Sequence, residues 1–398
     1  MNTLPWLQHL IVVPVLLPLL VGALLIPVNQ NRHTLKFAMS LTSSVLLWLV
    51  AVALLLMADG GHWTDGIGVL LTGASCTRTP PPPWTPPGPV RRLPLPLRAL
   101  YDSWALTGRP RPDRWAARSG GVDVIHATTT MVPATRAPLV VSVHDLFPLT
   151  LPGQLTGRGV RLMSAGIERA RRDARVVVVP SETTAEACVA NGFDRDRVVV
   201  VPHGVGGGPV PPDQVAATAR RYGLVRPYVL FVGTIEPRKN LPTLLRALDT
   251  TDLAGHDLVV AGPQGWSEDL EATARPLGTR LHRVGFVEPA HLDGLYGGAE
   301  VVCCPSRQEG FGLPALEAMV RGVPVVASSG TSLEEVVGET GWLVDPDDPT
   351  AWRSTLVDVL GDDGARAAAA TAGKERAARF TVEAMVEGTL AAYRRAAG

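Results

Sequence analysis

From about residue 120 onward, short apolar runs rich in valine recur: VDVIHA (122–127), PLVVSVHD (138–145), ARVVVVPS (174–181), RVVVVP (197–202), YVLFVG (228–233), DLVVAG (257–262), EVVCCPS (300–306) and VPVVAS (323–328). A branched side chain at Cβ suits a pleated strand, and a run that is apolar at successive positions has to be covered on both faces. Between most of these runs lie stretches of helical composition, such as NLPTLLRALDTT and LPALEAMVRG. Strands buried on both faces and alternating with helices predict an α/β chain built on parallel sheets. With eight such strands in 398 residues, and a Gly/Pro-rich break at VPHGVGGGPVPPDQ (201–214), the expectation is two doubly wound domains. Ligands of such folds collect at the carboxyl ends of the strands.

Two of those strand ends carry chemistry. In VGTIEPRKN (232–240) a strand stops at Gly233, a turn carries Arg238 and Lys239, and a helix starts near Asn240. Cations and a helix N-terminus meeting at a strand end suit a phosphate or diphosphate. The chain holds 34 arginines and only three lysines, which sets Lys239 apart from the local habit. Two solvated charges on a turn is the plainer reading. The second end is EGFGLPALE (309–317), in which two glutamates stand eight positions apart around a Gly-Phe-Gly bend. Pro314 favours the first turn of a helix, so Glu309 precedes that helix and Glu317 lies within it. The amides of Gly310, Phe311, Gly312 and Leu313 would then point from a helix start toward hydroxyls or an anion, although simple capping by Glu317 is the competing reading.

Composition excludes other classes. Acidic and basic residues balance at 37 each and the basic ones are scattered, so no nucleic-acid footprint is present. Cys76, Cys188, Cys303 and Cys304 show no metal-ligand spacing and read as reduced, structural thiols. No carboxylate cluster near the two turns suggests a bound metal.

The amino-terminal part is different in kind. Residues 10–28 and 37–58 are uncharged and each is long enough to cross a bilayer as a helix, which predicts a transmembrane hairpin over residues 1–68 and a membrane partner through residues 10–58. Arg32 and Lys36 place the intervening loop in the cytoplasm and send the remainder of the chain outward. TRTPPPPWTPPGPVRRLPLP (77–96) is too proline-rich for helix or central strand and reads as an exposed, extended loop. The expected domains are then 69–209, 210–380 and a closing helix over 381–398.

The E-x7-E spacing of EGFGLPALE resembles that of retaining glycosyltransferases of family 4, and YVLFVGTIEPRKNLPTLLRAL resembles their donor-diphosphate segment. VDVIHATTTMVP, PLVVSVHDLFP, RVGFVEPAHLDGLYGGAEVVCCPS and the closing RFTVEAMVEGTLAAYRRA follow the same family's order, so the likeness runs over roughly residues 75–398. It implies the GT-B fold, a nucleotide-sugar donor, no cofactor, a glycan or lipid-linked acceptor, and transfer with retention. Catalytic roles are implied for His144, Glu309 and Lys239. Lys239 with Arg238 would neutralise the donor diphosphate beside Gly233. Glu317 would hold the ribose, Glu309 with the amides of Gly310 to Leu313 would hold the sugar, and Gly285, Phe286 and Val287 would line the base pocket. Where the family often has an arginine after the strand-end glycine this chain has Thr234, so Arg238 is expected to supply the second charge. The GTIEPRKN segment leans toward mannosyltransferases of polysaccharide assembly.

The family's opening strand, glycine-rich loop and helix have no counterpart in this sequence. Residues 1–70 instead resemble the amino-terminal portion of one component of a multisubunit cation/proton antiporter, through LIVVPVLLPLLVGALLIP and the run up to GGHWTDGIGV. That likeness implies a fusion near residues 66–73. Nucleotide sugars put the transferase part at the cytoplasmic face, against the outward topology that the charges give. An inactive chimera with an antiporter fragment is the alternative reading, and a GT-B sugar-nucleotide epimerase a weaker one.

Overall fold

The computed structural model describes residues 10–12, 68–73, 90–116, 121–151, 153, 156–265 and 270–398. They divide into two compact units, one of the described residues up to Pro202 with Val382–Gly398 and one of those from His203 to Thr381.

In the first unit a small parallel sheet joins β1 (Leu10–Val12), β2 (Gly68–Gly73) and β3 (Val90–Arg92). Val90–Arg92 corrects the expectation of loop throughout 77–96. These three residues fall in the longest proline-free stretch of that segment and take an edge position, the place where a proline-flanked strand is tolerated. The rest of the proline-rich stretch up to residue 89 lies outside the described residues. A second parallel sheet has four strands in sequential order: β4 (Ile125–Ala127), β5 (Leu139–Ser142), β6 (Val176–Val179) and β7 (Val198–Val200). Val141, Val177, Val179 and Val198 are buried together with Ile125, Leu139, Ile167 and Phe193.

Of the expected span 10–28 only Leu10–Val12 are described, and they form a strand rather than the start of a helix. The other residues of that span, all of 37–58, and Cys76 lie outside the described residues. Among the described residues no helix is long and apolar enough to cross a membrane.

The carboxyl-terminal helix Val382–Ala397 belongs to the first unit and is fastened to its four-stranded sheet. His126 on β4 makes hydrogen bonds with Tyr393 Oη at 2.7 Å and with Ser142 Oγ at 2.8 Å, while Arg175 donates to the Ala396 carbonyl at 2.9 Å. Burial, with the neighbouring His144 adding to it, pushes the His126 imidazole down to about 3, so it stays neutral.

The second unit is built on six parallel strands: β8 (Tyr228–Val232), β9 (Asp257–Ala261), β10 (Leu281–Gly285), β11 (Val301–Cys304), β12 (Val325–Ser328) and β13 (Trp342–Val344). They lie in one sheet in the order β10-β9-β8-β11-β12-β13. The alternation of side chains explains the valine runs. Leu230, Val259, Val302 and Val325 face one apolar layer with Leu295, Leu316 and Met319. Val229, Phe231, Val260, Val301, Cys303 and Val326 face the other, with Leu244, Leu245, Trp352 and Leu356. Each fully buried aliphatic side chain contributes about 2 kcal/mol, so both faces hold the sheet. Cys188 in the first unit and Cys303 and Cys304 in the second are buried free thiols.

Candidate functional site

From β8 the second unit's chain winds outward through β9 and β10, then returns to place β11 on the other side of β8. The carboxyl ends of β8 and β11 therefore stand side by side where the winding reverses, which is where doubly wound sheets bind ligands. Both expected motifs lie there, VGTIEPRKN after β8 and PSRQEGFG after β11.

The β8 end is shaped by backbone. Gly262, which follows β9 with φ +147°, packs so closely that a Cβ on it would lie 2.0 Å from the Gly233 carbonyl oxygen. Ile235 and Gln264 extend the pairing past the strand ends, and Pro237–Lys239 form one tight turn. That turn closes at Asn240, which is fully buried with φ 55° and ψ 37°. Its Nδ2 donates to the Pro346 carbonyl at 2.7 Å, and Thr243 Oγ1 donates to its Oδ1 at 3.0 Å. The helix Leu241–Leu248 starts only after this left-handed residue, one position later than the sequence suggests.

Asn240 thereby aims Lys239 across the switch point. Lys239 Nζ lies 2.5 Å from Glu309 Oε2, and Ser306 Oγ donates to the same oxygen at 3.2 Å. Arg238 is held by Glu236 at 2.6 Å and donates to the Gln308 carbonyl at 3.3 Å, and its own carbonyl accepts from the Arg307 amide at 2.8 Å. Its guanidinium stands 3.9 Å from Glu309 Oε1. Arg238 thus ties the β8 loop to the β11 loop, behind Lys239. Burial pushes the Glu309 carboxyl up, but the Lys239 and Arg238 charges and the hydrogen bonds from Lys239 and Ser306 outweigh it and hold the group below the usual carboxylate range.

The EGFGLPALE bend is fixed from behind. Ser332 Oγ donates to the Glu309 carbonyl at 2.7 Å, Phe311 packs edge-on against His203 and Phe380, and Gly312 takes φ +106° where a Cβ would strike Leu333. The helix Leu313–Arg321 comes next, with Pro314 in its first turn. Glu317 is on that helix, and Tyr296 Oη donates to its Oε2 at 2.6 Å. Arg321 donates to the Glu317 carbonyl at 2.9 Å, pairs with Asp293, and lies over the Tyr296 ring. Burial raises the Glu317 carboxyl above its usual range despite Tyr296 and Arg321. Gly285 ends β10 and accepts from the Gly262 amide at 2.8 Å, Phe286 is 46% exposed and Val287 is buried.

Gly233, Arg238, Lys239, Glu309, Gly310, Phe311, Gly312, Leu313, Glu317 and Gly285 to Val287 all belong to the second unit, while His144 belongs to the first. His144 lies just after β5, and its Nε2 donates to the Thr128 carbonyl at 3.0 Å. Burial lowers its pKa. Glu236, Asn240, Ser306, Ser332 and Tyr296 are supporting residues that the sequence did not disclose. Only Asn240, next to the cationic pair at a helix start, carried a local signal. Among the described residues no group of three or more His, Cys, Asp or Glu side chains is gathered as a metal ion needs.

Two family models match the chain, that of glycosyltransferase family 4 over residues 68–206 and that of glycosyl transferases group 1 over residues 226–362. The chain is 31% identical over 315 residues to the O-antigen chain mannosyltransferase B of Escherichia coli, covering 77% of this chain and 81% of that one. It is 34% identical over 281 residues to the D-inositol 3-phosphate glycosyltransferase of Xylanimonas cellulosilytica, covering 67% of this chain and 64% of that one. In fold it is similar to the sucrose-phosphate synthase of Thermosynechococcus elongatus, with a TM-score of 0.69 at 21% identity over 97% of this chain and 98% of that one. It is also similar to WaaG, a glycosyltransferase involved in lipopolysaccharide biosynthesis, with a TM-score of 0.65 at 18% identity over 88% and 95%.

Proposed function

The chain belongs to glycosyltransferase family 4, with the GT-B fold, and from that membership we propose that it transfers mannose from a nucleotide-sugar donor to a glycan or lipid-linked acceptor, with retention. One observation carries the reading: Lys239 and Glu309 meet at 2.5 Å across the switch point, where a diphosphate and the sugar attached to it can be held at once.

In this reading the chemistry asks little of a nucleophile and much of charge. As the bond between the sugar and the diphosphate lengthens, positive charge grows on the anomeric carbon and negative charge on the leaving phosphate. Lys239, with Arg238 behind it, stabilises the leaving group, and one such group in a water-poor site is worth about 3 kcal/mol or more. The amides of Gly310 to Leu313 and the Glu309 carboxylate orient the sugar, Glu317 holds the ribose, and the Gly285–Val287 segment receives the base. For His144, in the first unit, a role toward the acceptor is proposed. No metal and no cofactor enters the scheme.

The preference for mannose is supported by the Escherichia coli relative, a mannosyltransferase by name. A lipid-linked acceptor would be met at the cytoplasmic face of a membrane. The test is transfer of labelled mannose from GDP-mannose to a polyprenol-linked glycan extract, with the linkage read by NMR. An α-linked mannosyl product is the expected result, whereas turnover with another nucleotide sugar only, or a β-linked product, overturns the mannose or the retention part respectively.

A further inference from the structure

The cationic turn does not present two open charges. Glu236, Arg238, Lys239 and Glu309 form one cluster of two carboxylates and two cations with no net charge, and all four are largely buried: Lys239 and Glu309 side chains are only 11% and 13% exposed. A buried, neutral cluster is a poor receptor for a dianion, because the added charge meets as much repulsion from Glu309 as attraction from Lys239. For Lys239 to face a diphosphate, its contact with Glu309 Oε2 must be given up.

We propose that Glu309 is an internal competitor for Lys239, so that donor binding exchanges the Lys239–Glu309 pair for a Lys239–diphosphate pair and releases Glu309 to the sugar. The idea rests on the donor reading above and extends it to the order of events. With the intact donor, the carboxylate displaced from Lys239 finds new partners in the sugar hydroxyls, and both halves of the exchange are satisfied. After transfer the sugar is gone, and Lys239 is again the nearest cation to Glu309. The carboxylate returns to it and weakens the hold on the nucleoside diphosphate, which favours release of product. Ser306 keeps this competitor in place by donating to the same carboxylate oxygen at 3.2 Å. Thus the two residues that the E-x7-E and lysine motifs supply to different parts of the donor are antagonists toward the bare product.

Isothermal titration of the full-length protein with GDP and with UDP tests this. Glu309→Gln keeps the size of the side chain and one acceptor oxygen but cannot pair ionically with Lys239. It is expected to bind the preferred diphosphate about tenfold more tightly or better than the wild type, since a buried cation without its carboxylate then awaits the anion. Lys239→Met removes the gain, so Glu309→Gln combined with it binds no more tightly than Lys239→Met alone. Ser306→Ala provides the second arm where Glu309→Gln folds poorly. It retains both charges and is expected to shift diphosphate affinity and product inhibition in the same direction, by about threefold. Equal or weaker diphosphate binding by the folded variants overturns the competition and leaves the donor reading intact. Absence of GDP and UDP binding in the wild type and every variant overturns the donor reading, and the competition with it.

Discussion

Asn240 offers a test in which glycine and alanine should reverse their usual order. The residue is fully buried with φ 55° and ψ 37°, and its side chain joins the turn carrying Arg238 and Lys239 to Pro346 and Thr243. Replacement by either glycine or alanine removes both side-chain hydrogen bonds, each worth about 1 kcal/mol, so about 2 kcal/mol is common to the two variants. Alanine then places a Cβ in the left-handed region at a cost of about 1–2 kcal/mol, which glycine avoids. Glycine has the more disordered unfolded chain, which costs it about 0.5–1 kcal/mol. Asn240→Gly is therefore expected to lose about 2.5–3 kcal/mol and Asn240→Ala about 3–4, whereas at an ordinary helical position alanine is the more stable of the two. Urea unfolding at constant m-value measures the difference as a shift in midpoint. Asn240→Ala as stable as Asn240→Gly, or more stable, would refute the claim that this dihedral is what closes the turn.

Three other outcomes rest on the same geometry. Gly262→Ala has to push the Gly233 carbonyl away from a Cβ otherwise 2.0 Å from it, and a melting experiment should show a loss of about 3 kcal/mol or more; an unchanged melting temperature contradicts the close approach. Tyr296→Phe removes the hydroxyl that donates to Glu317 and leaves a carboxyl that burial already raises, so the donor KM should rise about fivefold with kcat nearly constant. The acid limb of kcat/KM against pH should move upward with it, and a profile identical to the wild type argues against this role. His126, pushed down to about 3 by burial, stabilises fully above its unfolded pKa near 6.5 and loses that stabilisation as pH falls below it. Between pH 7 and pH 5 this amounts to about 2 kcal/mol, so His126→Gln should show a correspondingly smaller drop in urea midpoint over that interval, and an equal drop contradicts it.

The sequence discloses strands where an unbroken apolar run marks them and is silent where none does. All eight valine-rich runs contain a strand of the two larger sheets. Leu281–Gly285 and Trp342–Val344 escape such a reading because they are the edges of the second unit's sheet, where His282, Arg283 and Leu343 meet less cover and no continuous apolar run forms. Val90–Arg92 is hidden by the prolines that flank it. At the candidate site the two motifs are legible because each is local: a strand end, a turn and a helix start within ten residues. Their adjacency is not, since it arises from the order in which β11 returns beside β8. Supporting contacts are hidden for the same reason. Tyr296 lies 21 positions from Glu317, Ser332 lies 23 from Glu309, and Asn240 meets Pro346 across 106, so no local spacing announces them. Arg238 shows the limit most clearly, because an arginine beside a lysine reads as a second solvated charge, whereas folding gives it Glu236 and the β11 loop to hold.

The most direct measurement is the rate of nucleoside diphosphate release from a panel of nucleotide sugars, GDP-mannose among them, by the full-length protein and by Lys239→Met. A preorganised cation at the leaving group is worth about 100-fold or more in rate, so the account predicts release from one donor by the wild type and a loss of at least that size in the variant. Equal rates in the two proteins, or release from none of the donors by the wild type, would contradict it.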